Sequence, residues 1–168
     1  LLKEAGVRQV AWVPDAGHAY VIARVLADPG ILGIPLTSEE EGVALACGAW
    51  LGGDRAVLLM QSSGVGNCVN MLSLVATCRF PFLALVTMRG EEEERNEWQV
   101  PMGRASATVL EAMGVRVVRV DEADLQVVGR RLRPGERGGV RREAERERAE
   151  ARGVEAVAEV ALIFASMP

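Results

Sequence analysis

Thr37-Ser38-Glu39-Glu40-Glu41-Gly42-Val43-Ala44, followed one strand later by Gln61-Ser62-Ser63-Gly64-Val65-Gly66-Asn67, organises the reading of this chain. The first stretch opens an apolar helix on a run of carboxylates. Ser38 suits the N-cap, and Glu41 at the third helical position suits a capping box. Acidic side chains also favour the positive end of the helix dipole. That helix-start reading by itself accounts for all three glutamates. The second stretch is a glycine turn leading from a buried strand into another helix, and by itself reads as a tight connection capped by Asn67. Two details point further. Gly42, Ala44, Ala46, Gly48 and Ala49 give the first helix a small-residue character that lets something approach its backbone closely. That helix also follows the carboxyl end of a strand, where open α/β sheets place ligands.

Working outward, the pattern predicts strands over residues 9–13, 31–36, 55–60, 81–88 and 115–120. Helices are predicted over 17–27, 38–51, 66–77 and 102–113, with a polar loop over 90–101. Strands alternating with longer helices mean βαβ units and a parallel sheet. Continuous apolar runs such as Ala56-Val57-Leu58-Leu59-Met60 and Phe82-Leu83-Ala84-Leu85-Val86 fit strands buried on both faces. Right-handed crossovers then give an α/β fold, a doubly wound, mainly parallel sheet with helices on both faces. Residues 1–168 read as a single domain with an irregular Arg-rich insert at about 130–152. The apolar stretch 156–165 returns to the core as either a closing strand or a helix.

Composition bounds the function. Of 168 residues, 49% are apolar and 25% charged, as in soluble globular proteins. No apolar run approaches the roughly 20 residues that span a bilayer, so no membrane partner is expected. The net charge is −4; nine Arg and five Glu in 130–152 contribute +4, leaving −8 elsewhere. An acidic body argues against nucleic acid as a partner. Cys47, Cys68 and Cys78 lack metal-ligand spacing and lie in apolar segments; they read as reduced and buried, and no metal site is expected. No secretory pattern is visible at the start, so a cytoplasmic location is expected.

Other residues carry chemistry or structure. In Pro14-Asp15-Ala16-Gly17-His18, Asp15 is either a cap for the next helix or a proton relay. His18, the only histidine, reads as a surface or supporting imidazole. Arg89 ends a central strand, where it could grip an anion bidentately or pair with the Glu91–Glu94 run. The glycine turn lacks the Lys-Ser/Thr of a P-loop, and no acidic ribose partner follows it, which discounts nucleotide binding.

In combination, Glu40-Glu41-Gly42, the small-residue helix ending at Gly48-Ala49-Trp50-Leu51, and the glycine turn resemble the aminopyrimidine-binding domain of thiamine-diphosphate enzymes. The resemblance implies that Glu40 hydrogen-bonds the pyrimidine N1′, with Glu39 a solvated neighbour and Glu41 a cap. A carboxyl there favours the imino tautomer, whose nitrogen takes the proton from C2 of the thiazolium. The cofactor then attacks a 2-keto acid and holds the electrons released with CO2. Implied catalytic residues are Glu40 and Asp15. Pro14, Ser63, Gly64, Gly66 and Asn67 would join Glu40 in binding thiamine diphosphate. Gln61, Ser62, Arg89 and Gln99, with Arg104 beside them, would face substrate.

Arg89-Gly90 and Gln99-Val100-Pro101-Met102-Gly103-Arg104-Ala105 are similar to a narrower branch, the sulfopyruvate and phosphonopyruvate decarboxylases. Val100 after Gln99 favours the alpha subunit of the sulfopyruvate type. The resemblance covers about residues 1–120. A Gly-Asp-Gly diphosphate motif with its downstream Asn has no match here. The resemblance therefore implies a separate diphosphate-binding beta subunit that holds Mg2+. Active sites would lie between chains, in a self-associating α2β2 or larger complex acting on a small anionic 2-keto acid. Phosphonopyruvate or another anionic keto acid remains an alternative substrate, and a non-catalytic domain that kept the fold remains a second class.

Overall fold

The computed structural model describes residues 2–91, 94–120 and 161–165. Its strands are β1 (Val7–Trp12), β2 (Leu32–Pro35), β3 (Arg55–Gln61), β4 (Leu83–Thr87), β5 (Arg116–Val120) and β6 (Ala161–Ala165). The helices between them are α1 (Ala19–Leu26), α2 (Glu39–Leu51), α3 (Ser62–Cys68), α4 (Leu72–Cys78) and α5 (Val100–Ala112), the last preceded by a 3-10 turn at Glu97–Gln99. The strands form one sheet in the order β2-β1-β3-β4-β6-β5. Every adjacent pair is parallel.

Alternation along the strands builds two cores. Ala11, Leu58, Met60, Ala84 and Val86 face α2, α3, α4 and α5, meeting Val43, Val65, Leu72 and Leu110. Val10, Trp12, Val57 and Leu59 face the other way, where Val25 of α1 packs on them. The change of face follows the direction of travel. From β1 to β2 the chain moves one way along the sheet, whereas from β2 to β3 and on to β4 it moves the other way. Crossovers of one hand must then lie on opposite faces. The reversal places a switch point at β1 and β3, and the ends of those two strands carry Asp15 and Gln61.

The doubly wound parallel sheet matches the sequence expectation, with differences in detail. The expected glycine turn is helical: β3 runs straight into α3 at Ser62, and the single helix predicted over 66–77 is instead α3 and α4, separated at residues 69–71. Gly64 tolerates this because its missing side chain leaves the space that Glu39 fills. Asn67 therefore sits in the last turn of α3 rather than at a helix start. The segment left open between strand and helix supplies β6. Cys47 and Cys68 are buried, but Cys78 at the end of α4 is exposed, against expectation. The Arg-rich insert lies outside the described residues. Among the described residues no helix is long and apolar enough to cross a membrane.

Candidate active site

The run of three glutamates is resolved by the phase of α2. Val43, Ala46 and Cys47 point into the core, and Glu39 lies on the same stripe, four, seven and eight residues ahead of them. Glu39 is only 9% exposed. Its carboxylate accepts a hydrogen bond of 2.8 Å from Asn67 Nδ2 and lies against the backbone of Gly64. A Cβ at Gly64 would stand 2.5 Å from the Glu39 carboxyl carbon. Glu40 is half-buried and accepts a short hydrogen bond from Ser38 Oγ. Glu41 is exposed and reaches back to Thr37, accepting from its N–H at 3.1 Å and its hydroxyl at 2.7 Å. The expected solvated position of Glu39 is thus corrected: it is the buried member of the three. The expected capping box also differs, since Ser38 spends its hydroxyl on Glu40 and makes no side-chain cap.

Across the switch point, Asp15 is the hub. Its side chain is 4% exposed. Oδ1 accepts from the Gly17 N–H at 3.0 Å and from Gln61 Nε2 at 2.6 Å. Oδ2 accepts from Thr87 Oγ1 at 2.7 Å and lies 2.9 Å from His18 Nδ1. One carboxylate thereby ties the β1–α1 loop to the ends of β3 and β4. Burial works to raise the Asp15 carboxyl, but the bonds from His18, Gln61, Thr87 and Gly17 outweigh it and hold the group well below the usual carboxylate range. An acceptor-only carboxylate also fixes the Gln61 amide, with its NH2 toward Asp15.

His18 is buried at 5% exposure rather than a surface residue. Its Nδ1 stands 2.9 Å from Asp15 Oδ2.

The third wall comes from the end of β4. Ser62 is fully buried, and its hydroxyl accepts from the Arg89 N–H at 2.9 Å and donates to the Arg89 carbonyl at 3.2 Å. It pins the backbone at the end of β4. The Arg89 guanidinium is held bidentately by Glu94 at 2.7 and 2.8 Å, the ion-pair alternative seen in the sequence. Arg89 donates two parallel bonds, and the Gly90 and Asn96 N–H groups complete the nest around that carboxylate. Gln99 is buried, with Oε1 lacking a hydrogen-bond partner among the described residues.

The remaining predicted residues are spread along the same edge. Pro14 is exposed, Ser63 half-buried in the first turn of α3, and Gly66 faces Met102 with room for a Cβ 3.6 Å from its sulfur. Arg104 is exposed on α5. Sequence reasoning read Glu39 as solvated and did not foresee the Asp15–His18 contact. The helical spacing of Glu39 from Val43, Ala46 and Cys47 was the available signal for the first, and the three-residue spacing of Asp15 and His18 for the second.

No family model matches the chain. It is 42% identical over 115 residues to sulfopyruvate decarboxylase subunit alpha of Methanothermobacter thermautotrophicus, covering 68% of this chain and 70% of that protein. Against the same subunit of Methanococcus maripaludis it is 39% identical over 113 residues, covering 67% and 68%. It also matches 32% of the length of a sulfopyruvate decarboxylase of Methanosarcina acetivorans at 39% identity, over 74% of this chain. Of a phosphonopyruvate decarboxylase of Streptomyces viridochromogenes it matches 27% at 40% identity, over 63% of this chain.

Among solved structures, a Mycobacterium smegmatis protein assigned as a thiamin diphosphate-dependent enzyme shares the fold. The TM-score is 0.64 at 14% identity, over 98% of this chain and 29% of that one. The 2-oxoglutarate:ferredoxin oxidoreductase of Magnetococcus marinus shares it with a TM-score of 0.59 at 14% identity, over 98% of this chain and 27% of that one. With two relatives matched over two thirds of their length, the chain belongs to the family of sulfopyruvate decarboxylase alpha subunits.

Proposed function

We propose that this chain is the aminopyrimidine-binding subunit of a thiamine-diphosphate-dependent 2-keto acid decarboxylase, converting sulfopyruvate to sulfoacetaldehyde and CO2. The observation that carries the reading is the buried Glu39 carboxylate, braced by Asn67 and seated on Gly64 at the carboxyl edge of the sheet. A carboxyl at this place fits an aminopyrimidine, which offers a ring nitrogen for it to meet. We assign that role to Glu39 rather than to Glu40, whose carboxylate is half-buried and engaged with Ser38. When bound, thiamine diphosphate supplies the carbon nucleophile and stores the electrons freed by CO2 loss. This chain's part is to hold a proton at the Glu39 carboxyl, to keep that carboxyl in place through Asn67, and to hold the Gln61 side chain at the end of β3 through Asp15.

The diphosphate and its divalent ion belong on a partner subunit in this reading. Two findings support it: the relatives named as alpha subunits, and the longer decarboxylases of which this chain matches about a third or less. Phosphonopyruvate is the second substrate considered, because a named phosphonopyruvate decarboxylase is 40% identical over 108 residues. Arg89 does not choose between them, since Glu94 already occupies its guanidinium. The test is CO2 release from each acid by the chain alone and by the chain with its partner, thiamine diphosphate and Mg2+. Turnover in the mixture only, faster with sulfopyruvate, supports the reading. Failure of the mixture with both acids refutes it.

A further inference from the structure

Glu94 occupies one edge of the Arg89 guanidinium and leaves the other. A guanidinium carries its five N–H groups in a fixed plane with two forked edges, one formed by Nε and Nη2 and one by Nη1 and Nη2. Glu94 takes the first: Nε donates to its Oε2 at 2.7 Å and Nη2 to its Oε1 at 2.8 Å. Nη1 has no hydrogen-bond partner among the described residues. The Arg89 side chain is 31% exposed and that of Glu94 is 8% exposed, so the carboxylate is the inner member of the pair and the guanidinium the outer.

Neighbouring elements fix where the open edge stands. The Ser62 hydroxyl bonds both the N–H and the carbonyl of Arg89, tying that backbone to the first turn of α3. Gly64, on which Glu39 is seated, lies two residues further along the same helix. Gly103 of α5 approaches so closely that a Cβ there would overlap the Arg89 carbonyl. Two residues before Arg89, Thr87 bonds Asp15, and the Asp15 charge acts on the guanidinium. Arg89 therefore shares the carboxyl edge of the sheet with Asp15, Gln61 and Glu39. Glu94 sets the plane of the guanidinium. Its charge is shared with the Gly90 and Asn96 N–H groups, at 3.1 and 2.9 Å, and does not fall on Arg89 alone.

We propose that the open Nη1–Nη2 edge of Arg89 docks the second anionic head of the substrate, a sulfonate or a phosphonate, and that Glu94 is the positioning residue that aims it. The inference rests on the decarboxylase reading above, which supplies a keto acid carrying two anions. Two oxygens of the head accept parallel bonds from Nη1 and Nη2, a fork that a lysine ammonium does not reproduce. No contact already in place has to break. The carboxylate of the keto acid departs as CO2, so the head is the anion that a lasting grip can hold through the reaction. A grip on a non-reacting group favours substrate and transition state alike, and it therefore shows in KM more than in kcat.

The first test needs neither cofactor nor turnover. The full chain is titrated with sulfoacetate, a sulfonate that is not a keto acid, at constant ionic strength, and the Arg89 and Gly90 backbone N–H resonances are followed by NMR. The expected result is a saturable shift, with binding about 10-fold or more weaker in the equally charged Arg89→Lys, which loses the fork. No saturable shift, or an Arg89→Lys chain that binds as wild type does, overturns the docking edge. In the complex with its partner subunit, thiamine diphosphate and Mg2+, Arg89→Lys should raise KM for sulfopyruvate by about 10-fold or more while kcat falls far less. Glu94→Asp draws the carboxylate back by one methylene at unchanged charge and should weaken sulfoacetate binding and raise KM in the same sense. A Glu94→Asp complex with wild-type KM overturns the aiming role of Glu94. A wild-type complex that releases no CO2 from sulfopyruvate or phosphonopyruvate overturns the decarboxylase reading, while the sulfoacetate titration decides the docking edge separately.

Discussion

Replacing Gly64 by alanine adds one methyl group, and the structure says where it must go. The new Cβ would stand 2.5 Å from the carboxyl carbon, the Cγ and one oxygen of Glu39. Carbon atoms in contact settle at about 3.5 Å or more, so the carboxyl has to retreat by about 1 Å. The retreat is not free. Glu39 is buried, and Asn67 holds its other oxygen at 2.8 Å. Overpacking of this kind costs about 1–3 kcal/mol. For a chain of this size each kcal/mol lowers the melting temperature by about 2–4 °C, so a drop of about 2–12 °C is expected. The effect on rate should exceed the effect on stability, because displacing a reacting group by about 1 Å costs about 100-fold. Thermal melts of the isolated chain read the first effect, and CO2 release by the assembled complex reads the second. A Gly64→Ala chain with wild-type melting and wild-type turnover would refute the placement of Glu39 against this helix.

Other expectations follow from the same contacts. Arg89 first, then the Asn96 and Gly90 N–H groups, lower the Glu94 carboxyl to about 2, so its contribution to stability is present above the ordinary carboxylate value of about 4.3 and is lost as pH falls toward 2. Melting temperature against pH should therefore show wild type above Glu94→Gln near neutrality and the two curves meeting near pH 2; a constant gap would contradict this. Burial, then the charges of Glu39 and Glu40, push the Cys68 thiol up to about 12, and burial raises Cys47. A thiol reagent should accordingly label only Cys78 in the native chain and all three cysteines after denaturation. Ser62→Ala leaves the Arg89 N–H and carbonyl without their hydroxyl and should lower stability by about 1–3 kcal/mol in urea titrations.

The sheet was legible because its strands announce themselves twice. Val57, Leu58, Leu59 and Met60 are apolar without alternation, and all four are at most 1% exposed, as strands covered on both faces must be. What the sequence did not disclose was phase. Three successive glutamates point in three directions separated by about 100°, and only packing decides which one faces inward. The core stripe of Val43, Ala46 and Cys47 makes Glu39 the buried one, a position that the sequence reading had left solvated.

The glycines of the second motif likewise suggested a loop, since glycine is a poor helix former. At Gly64 the cause is a neighbour close enough to exclude a Cβ, a tertiary fact invisible to local propensity; Gly66 has room for one. The bond of the Ser62 hydroxyl to a backbone 27 residues away is a tertiary fact of the same kind. Arg89 was ambiguous in the sequence between an anion grip and an ion pair, and the nest of N–H groups around Glu94 settles the pairing.

The proposed function gives the contact with the aminopyrimidine to the buried Glu39 and not to the half-buried Glu40. The most direct measurement is the rate of CO2 release from sulfopyruvate by the assembled complex carrying Glu39→Gln or Glu40→Gln, with thiamine diphosphate and Mg2+ present. Gln at residue 39 keeps an acceptor for Asn67, so the fold should survive the change. The expected result is a loss of about 100- to 10,000-fold for Glu39→Gln, with Glu40→Gln within a few-fold of wild type. Full activity in Glu39→Gln together with a collapse in Glu40→Gln would contradict it.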